Sequence, residues 1–345
     1  MADIKQSIFL KNLRGEPCDR TPIWVMRQAG RYLPEYMKVR EEYSFNELCR
    51  TPEAACEVTL QPIRRFGFDA SIMFSDILTP LAPMGARFSF AGGGPKLESP
   101  IRSEADIDAL STYDPADGTH FVAEAIKLMK QGLGDKTPLI GFAGSPFTLA
   151  TYLVEGGGSK NYQYLKTLLY SRPELLERLM NKLTDQTLAY LRMQVEAGVD
   201  AIQLFDTWGG ILHPADYAKV VLPCVKRIMD GLKDTGVPRI YFLKGSAPYV
   251  DLITTLDVEC LGMDWTMDMA QYLPAHEGYA VQGNLDPMAL YGTQDEIRRR
   301  ALEICAAGSK AKGHVFNLGH GITPETPIPN VETLVETVQG YRREI

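Results

Sequence analysis

No apolar run in this 345-residue sequence approaches the ~20 residues that a membrane-spanning helix needs. The N-terminal stretch MADIKQSIFLKNLRGEP is typical of an amphipathic helix rather than of a signal peptide. The net charge is −7, so the sequence lacks the basic excess needed for a general electrostatic grip on nucleic acid or an anionic membrane. We therefore expect a cytoplasmic protein with neither nucleic acid nor membrane as a partner.

Motifs for metals and nucleotide cofactors are also missing. The six cysteines form no CxxC pair, and none of the five histidines is followed two residues later by cysteine, which argues against a zinc site or a disulfide framework. Residues 152–160 read YLVEGGGSK, which is glycine-rich but is not a phosphate-binding loop, and no GxGxxG follows a predicted strand. We expect no metal site and no nucleotide cofactor. The 152–160 stretch is either a flexible lid or a helix corner.

What the sequence does contain is a repeated order of a short apolar run, a polar corner and a longer helical stretch. Near-continuous apolar runs of this kind are typical of parallel strands that are buried on both faces. Eight such units predict the α/β class and a single (β/α)8 TIM barrel over residues 1–345, with a helix and lead-in at 1–20 and the barrel from about 21 to 345. The predicted strands are Pro22–Met26, Asp69–Phe74, Pro138–Gly144, Asp200–Asp206, Arg239–Gly245, Cys260–Trp265, Tyr279–Asp286 and Gly313–Gly321.

Capping residues predict where several of the helices begin and end. Thr51-Pro52-Glu53 indicates a helix start with proline at the first helical position, and His213-Pro214 indicates another. The long run Pro173–Ala197 is closed by Gly198, and a further helix runs from Thr293 to Gly308. The final helix is predicted to have Asn330 as its cap.

Two loops are longer than a minimal barrel requires. About forty residues separate the first two predicted strands, and residues 82–101 after the second strand predict a hairpin whose tip is Gly92-Gly93-Gly94. Material added after barrel strands surrounds the C-terminal mouth, where barrel enzymes keep their active sites. We therefore expect both excursions to wall that mouth.

Polar side chains at the carboxyl ends of the predicted strands should converge on the same mouth. Among them, Asp206, Asp264 and Asp286 are candidates only because of this position. The full set is Arg27, Gln28, Arg31, Ser75, Asp76, Ser145, Tyr152, Asp206, Thr207, Lys244, Asp264, Asn284, Asp286 and His320.

Arg27 and Arg31 lie four residues apart in WVMRQAGRYLPEY, with Gly30 allowing the backbone between them to turn tightly. Guanidinium groups are permanently charged and bind carboxylate or phosphate in a fork-like geometry. The pair therefore predicts an anion site. The alternative is an ordinary salt bridge to Glu35, Glu41 or Glu42.

Asp76 stands in FSDIL, where a charged residue directly follows an apolar strand. A buried carboxylate needs a donor or a cation. It either accepts hydrogen bonds from ligand N–H groups and stabilises developing positive charge, or it pairs within the protein, with Arg27 as one partner.

The histidines fall into two groups by position. His320 ends a strand between two glycines that leave room for a ligand beside the imidazole, so it is a ligand-binding candidate. His314, inside the same strand, is interpreted as a core or interface residue. Histidines 120, 213 and 276 are interpreted as loop or cap residues.

Six blocks of the sequence together resemble the uroporphyrinogen decarboxylase family. They are PIWVMRQAGRYLPEY, FSDIL, TYLVEGGGSK, LFDTWGG, VQGNLDP and FNLGHGITPETP, in that order over essentially the whole chain. The resemblance implies a cytoplasmic (β/α)8 homodimer that removes CO2 from the four acetate side chains of uroporphyrinogen III without metal or organic cofactor. It also implies substrate-binding residues at Arg27, Gln28, Ala29, Gly30, Arg31, Asp76, Tyr152, Thr207 and His320.

The implied chemistry agrees with the missing cofactor motifs, because a protonated pyrrole can itself accept the electrons that decarboxylation releases. Asp76 fits a group that holds pyrrole N–H groups and stabilises their positive charge, and Arg27 and Arg31 fit groups that hold carboxylates. We therefore assign catalytic roles to Asp76, Arg27, Arg31 and Tyr152. The proton donor stays open among Arg27, which the resemblance favours, Tyr152, His320 and a trapped water.

Two other functions compete with this one. A corrinoid-linked methyltransferase of the same superfamily would use a zinc-bound thiolate, but the usual H-x-C element is missing. A non-catalytic tetrapyrrole-binding protein would keep the pocket but would not need Asp76 together with the paired arginines. The joint presence of these three residues favours the enzyme.

The substrate carries eight carboxylates while the protein is net negative, so we predict a basic mouth on an acidic surface. We expect KM for uroporphyrinogen to rise with ionic strength, because salt screens charges over ~10 Å at ~0.1 M. Steady-state rates over a series of salt concentrations at fixed pH would test this. A KM that stays constant would argue against a basic mouth.

Overall fold

The computed structural model describes residues 3–90, 94–275 and 278–342. Its strands are β1 (Ser71–Ile72), β2 (Phe88–Ser89), β3 (Lys96–Leu97), β4 (Leu139–Gly144), β5 (Ala201–Asp206), β6 (Arg239–Leu243), β7 (Cys260–Met263), β8 (Ala280–Leu285) and β9 (Gly313–Leu318). Within the described ranges, seven of them form one sheet in the order β1-β4-β5-β6-β7-β8-β9. Every neighbouring pair in this sheet is parallel.

Seven of the eight predicted strands are therefore confirmed, in the predicted order. Strands β4, β5, β6, β8 and β9 are buried along their whole length. This burial on both faces is the physical reason why their sequences are apolar almost without interruption.

The first predicted strand, Pro22–Met26, is reduced to a single parallel bridge between Ile23 and Phe316. The Trp24 N–H donates to the Phe316 carbonyl, so the segment still lies against β9. No longer ladder forms because side chains accept the next two N–H groups. That of Val25 donates to Gln28 and that of Met26 to Asn317.

The sheet curls, as hydrogen bonds across its interior show. Gln203 on β5 and Gln282 on β8 belong to strands separated by two others, yet their side-chain amides are joined by a 3.0 Å hydrogen bond. The indole N–H of Trp24 donates to the same Gln282 at 2.8 Å. All three residues are buried, so polar pairing satisfies groups that have no access to water.

Helices connect and cover the strands. They are α1 (Ile8–Arg14), α2 (Pro34–Glu42), α3 (Phe45–Arg50), α4 (Pro52–Phe66), α5 (Glu104–Ala109), α6 (Pro115–Gly118), α7 (His120–Leu133), α8 (Pro146–Glu155), α9 (Gln163–Ser171), α10 (Pro173–Ala197), α11 (Pro214–Asp216), α12 (Leu222–Asp230), α13 (Val250–Ile253), α14 (Met269–Tyr272), α15 (Gln294–Gly308) and α16 (Ile328–Gly340). Within the described ranges, no helix is both long and apolar enough to cross a membrane.

Several predicted helix boundaries are confirmed, and one cap is wrong. Helix α10 spans Pro173–Ala197 and ends at Gly198 in the left-handed conformation, and Thr293 caps α15. The final helix begins at Ile328 instead of at a cap formed by Asn330. The Asn330 side chain points back to donate to the carbonyls of Leu290 and Gly292, so it fastens α16 to an earlier loop.

The two long excursions occur where the sequence predicts them. Helices α2, α3 and α4 occupy the stretch before β1, and the short antiparallel pair β2–β3 follows it. Of the predicted glycine tip, residues 92 and 93 lie outside the described residues. The hairpin is tied to α8, because the Leu97 N–H donates to the Gly156 carbonyl.

Asp69 fastens Pro22–Met26, which we call the first segment, to the rest of the sheet. Its carboxylate accepts 2.9 Å hydrogen bonds from the Arg20 guanidinium and from the Ile23 N–H, while its own N–H donates to the Ile23 carbonyl. The Asp69 side chain is only 8% exposed. A nearly buried carboxylate with this many partners contributes more to stability than an exposed ion pair.

We predict that Asp69→Asn lowers the free energy of unfolding by about 2 kcal/mol. The amide loses the negative charge, and its NH2 group cannot accept the hydrogen bonds that Arg20 and the Ile23 N–H donate to the carboxylate. The midpoint of urea denaturation would measure the loss. The matched control is Arg64→Gln, which removes an exposed ion pair with Glu57 and should leave the midpoint unchanged. Equal midpoints for the two variants would show that Asp69 does not fasten the segment.

Candidate active site

The carboxyl ends of the strands surround a cavity of about 550 Å³, which we call the mouth cavity. It brings together side chains that are far apart in sequence, from residue 26 to residue 324. Seven of the nine predicted substrate-binding residues line it, namely Arg27, Ala29, Gly30, Arg31, Asp76, Thr207 and His320.

The other two predicted residues lie outside the lining. Gln28 is fully buried, where its side chain accepts from the Val25 N–H and donates to the Ala70 carbonyl. Tyr152 lies on α8 with its ring 6.2 Å from that of Trp208. Gln28 therefore supports the turn that carries the arginines. That Gln28 and Tyr152 contact the substrate stays a prediction.

In the turn between the arginines, the residue with a strained backbone conformation is Arg27. Arg27 has φ +64°, in the left-handed region that glycine favours, whereas Gly30 does not. A Cβ on Gly30 would lie 3.0 Å from the Arg27 carbonyl oxygen, so glycine is needed there for close approach. This corrects the expectation that Gly30 supplies the turn through its backbone freedom. Left-handed conformation in a non-glycine residue costs ~1–3 kcal/mol and is commonest at functional sites.

The glycines on both sides of His320 make room for protein atoms. A Cβ on Gly321 would lie 2.3 Å from Cδ of Arg27, and one on Gly319 would lie 2.5 Å from the Trp265 nitrogen. His320 itself lines the mouth cavity, and the room for a ligand beside its imidazole stays a prediction. The absence of a side chain at Gly321 lets Arg27 extend past the loop that follows β9.

Arg27 and Arg31 are both exposed, and neither forms an ion pair with any described residue. Glu35, one of the alternative partners, is bonded instead to Arg65 at 2.6 and 2.8 Å. The guanidinium N–H groups are therefore available to an anionic ligand. Two such groups beside one cavity match a molecule with several carboxylates.

Asp76 lies in the loop after β1 and lines the mouth cavity. Its Oδ1 accepts a 2.8 Å hydrogen bond from the Leu78 N–H, and within the described residues it forms no ion pair. The carboxyl group can be reached from the cavity but is surrounded by protein, and this burial raises its pKa. The Leu78 N–H and the charge of Arg27 lower the pKa in part. Asp76 therefore keeps acceptor capacity for a ligand donor.

His320 faces the cavity as a neutral imidazole. Burial, then the charges of Arg27 and Lys244, lowers its pKa to about 3. Its ring lies 6.3 Å from that of Phe242, and the Lys244 ammonium is held 5.7 Å from the Trp208 ring. At neutral pH the imidazole can donate from one nitrogen and accept at the other, but it carries no charge.

Asp206 is used inside the protein and not in the cavity. Its two carboxylate oxygens accept hydrogen bonds from the hydroxyls of Ser145, Thr148 and Tyr241 and from the Gly209 N–H, at 2.7–3.0 Å. It is fully buried. Asp206 therefore organises the end of β5 and positions its neighbour Thr207, which lines the cavity.

The remaining strand-end candidates also have internal partners. Asp264 accepts from the Gly245 N–H at 2.8 Å, Asn284 donates to the Asp264 carbonyl, and Asp286 caps a turn by accepting from the Met288 N–H. Within the described residues, no group of three His, Cys, Asp or Glu side chains could hold a metal ion.

The other histidines lie away from the mouth cavity. His314 is buried in the core with Nε2 at 3.1 Å from the Gly283 carbonyl, as the sequence indicates. His213 caps α11 by accepting from the next-but-one N–H, and His120 is the first residue of α7. His276 lies outside the described residues.

The first excursion walls the mouth cavity, as the sequence predicts, but sequence reasoning missed the individual residues that α2 and the start of α3 supply. Tyr36, Arg40 and Phe45 line it, and the Arg40 guanidinium lies 5.8 Å from the Phe45 ring centroid. The i, i+4 spacing of Tyr36 and Arg40, which places two side chains on the same helix face, is the signal that could have found them. The excursion therefore contributes a cation and two aromatic rings to the cavity lining.

A family model described as uroporphyrinogen decarboxylase (URO-D) matches residues 5–341. The chain belongs to the uroporphyrinogen decarboxylase family. A uroporphyrinogen decarboxylase of Syntrophotalea carbinolica is 49% identical over 332 residues, which is 96% of each chain. One from Carboxydothermus hydrogenoformans is 47% identical over 333 residues, covering 96% of this chain and 95% of the relative.

Among solved structures, a methyltransferase from Methanosarcina mazei superposes with a TM-score of 0.83 at 20% identity, over 99% of both chains. At this identity the likeness concerns the fold alone. The α/β architecture with a curled parallel sheet is therefore shared with a methyltransferase, and function has to be argued from the site.

We predict that His320 makes the protein less stable in acid. Its pKa is lowered from 6.5 to about 3, so below about pH 6.5 the unfolded chain binds a proton that the folded chain does not. His320→Asn should therefore lose less unfolding free energy than the wild type between about pH 7.5 and about pH 5.

The matched control is His120→Asn, an exposed histidine outside the cavity, which should follow the wild type. Urea denaturation at the two pH values would measure all three proteins. If His320→Asn showed the same pH dependence as the wild type, His320 would titrate alike in both states.

Proposed function

We propose that this chain catalyses the cofactor-independent decarboxylation of the four acetate side chains of uroporphyrinogen III, giving coproporphyrinogen III and CO2. The observation that carries the proposal is the mouth cavity itself, where an Asp76 carboxylate and two guanidiniums without ion-pair partners face one space. Membership of the uroporphyrinogen decarboxylase family supports it.

Asp76 supplies the stabilisation of positive charge. The pyrrole N–H groups, which point to the centre of the macrocycle, donate hydrogen bonds to the Asp76 carboxylate. The macrocycle is therefore bound at its centre. When a pyrrole is protonated on carbon, its nitrogen becomes more positive and its attraction to Asp76 strengthens. An interaction that grows as the transition state is reached accelerates the reaction, whereas uniform binding does not.

Arg27 and Arg31 hold the carboxylates of the substrate at the cavity wall. Guanidinium stays protonated at any physiological pH and can donate two parallel hydrogen bonds to one carboxylate. The left-handed backbone of Arg27 and the missing side chain at Gly321 fix where this fork can reach. The arginines therefore orient the reacting ring relative to Asp76.

The reaction itself needs only protons and the pyrrole ring. A proton adds to the ring α-carbon and gives an iminium-like cation. The bond between the acetate carboxylate and its methylene breaks, CO2 leaves, and the electron pair forms an exocyclic double bond that neutralises the cation. A proton then adds to the exocyclic carbon to form the methyl group, and loss of the α-carbon proton restores the pyrrole.

His320 is unsuited to deliver that proton as an imidazolium, because its pKa of about 3 leaves it neutral at physiological pH. We assign it, together with Thr207, to hydrogen bonding with the substrate. Burial also raises the pKa of Tyr152, so its hydroxyl is protonated but weakly acidic. Arg27 remains the donor that the family resemblance favours, and its place beside Asp76 supports that role.

The architecture that we propose for this function is a closed eight-stranded barrel formed by one domain over residues 1–345, with the barrel from about residue 21. Two backbone hydrogen bonds support closure: the Ile23 carbonyl accepts from the N–H of Asp69, just before β1, and the Trp24 N–H donates to Phe316 on β9. We also propose a cytoplasmic homodimer, which the family resemblance supports.

We predict that Asp76→Asn lowers kcat about 10²–10³-fold with little change in folding stability, because the amide keeps the shape but loses the charge that stabilises the cation. Anaerobic incubation with uroporphyrinogen III, followed by separation of products by carboxylate number, would measure turnover. Asp286→Asn is the matched control, since that strand-end carboxylate only caps a turn. Near-normal turnover by Asp76→Asn would remove Asp76 from the mechanism.

A further inference from the structure

A second cavity of about 620 Å³ adjoins the mouth cavity and is not used by the function proposed above. We call it the hairpin chamber, because the β2–β3 hairpin, the end of α3 and the segment after Asp76 enclose it. Asp76 and Phe90 line both cavities. A ligand held by Asp76 therefore has access to two spaces, of which the mouth cavity is only one.

Two cations line the hairpin chamber. Arg50 is the last residue of α3, and Arg87 directly precedes β2. Both side chains are exposed, and neither forms an ion pair with any described residue. The Arg50 guanidinium lies 5.4 Å from the Phe121 ring centroid, so the ring can hold it in place while its N–H groups stay available.

We infer that the hairpin chamber is a second carboxylate-binding subsite for the same substrate, in which Arg50 and Arg87 bind acetate or propionate side chains. The inference rests on the proposed function. A macrocycle held at its centre by Asp76 carries carboxylates around its whole rim, so those directed away from Arg27 and Arg31 need other cations. Arg50 and Arg87 in the hairpin chamber are such cations, since the chamber shares Asp76 with the mouth cavity.

Glu98 sets a limit on this subsite. Apart from Asp76, it is the acidic residue among the described residues that line the chamber, and its N–H donates to the Arg87 carbonyl across the hairpin. Its negative charge opposes a bound carboxylate. Substrate affinity then reflects the attraction of carboxylates to Arg50 and Arg87 and their repulsion by Glu98. The affinity falls as acetates are removed, because each decarboxylation takes one negative charge from the substrate.

The test compares the double variant R50Q/R87Q with R64Q/R298Q, which removes two exposed arginines outside both cavities and changes the net charge equally. We expect R50Q/R87Q to raise KM for uroporphyrinogen about tenfold relative to this control. kcat should change less than about twofold, because the lost contacts bind substrate and transition state alike. Thermal unfolding would verify that both variants fold.

Two further variants test the sign of the effect. R50K/R87K keeps the charges and should recover part of the lost affinity, whereas E98Q removes the opposing charge and should lower KM below that of the wild type. A purely structural role for the arginines would not predict the E98Q result. If R50Q/R87Q matched its control while the wild type produced coproporphyrinogen, the subsite would be excluded and the proposed function would stand.

A binding assay separates this inference from the proposed function. Quenching of uroporphyrin fluorescence would give a Kd for an octacarboxylate without turnover. We expect about tenfold weaker binding by R50Q/R87Q and unchanged binding by R64Q/R298Q. A wild type that forms no products would overturn the proposed function. An equal Kd for the two double variants would independently overturn the subsite.

Discussion

The arrangement of the site depends on how Asp69 fixes the first segment against the sheet. The carboxylate holds Arg20 and the Ile23 N–H, and Arg27 follows only four residues after Ile23. Because the segment has a single bridge instead of a ladder, few backbone hydrogen bonds would replace this anchor. The placement of the arginines thus relies on side-chain hydrogen bonding outside the cavity.

Within the cavity, two effects act on the same groups. Burial makes ionisation of Asp76 less favourable, and the charge of Arg27 compensates in part. Burial, followed by the repulsion of a second positive charge by Arg27, lowers the pKa of His320 and keeps its imidazole neutral. Burial is thus the main cause of both pKa shifts, and the Arg27 guanidinium opposes it at Asp76 but adds to it at His320.

Local patterns in the sequence predict β4 to β9 and α10 well, because burial on both faces and capping by Gly198 are properties of neighbouring residues. Long-range side-chain contacts cannot be seen in this way. Asn317 accepts the Met26 N–H across 291 positions, which breaks the predicted first strand, and Asn330 reaches back to Leu290 and so does not cap its helix. The mouth residues at strand ends followed from topology, but Arg40 on an inserted helix did not.

The contact of Gly321 with Arg27 has a consequence for how the protein matures. Residues almost three hundred positions apart share one space, in which even a methyl group would displace the guanidinium. During synthesis, Arg27 emerges early but has no fixed position until the loop after β9 has docked against it. Competence to bind substrate should therefore be acquired when this loop docks, and a bound anion would in turn favour the docked state.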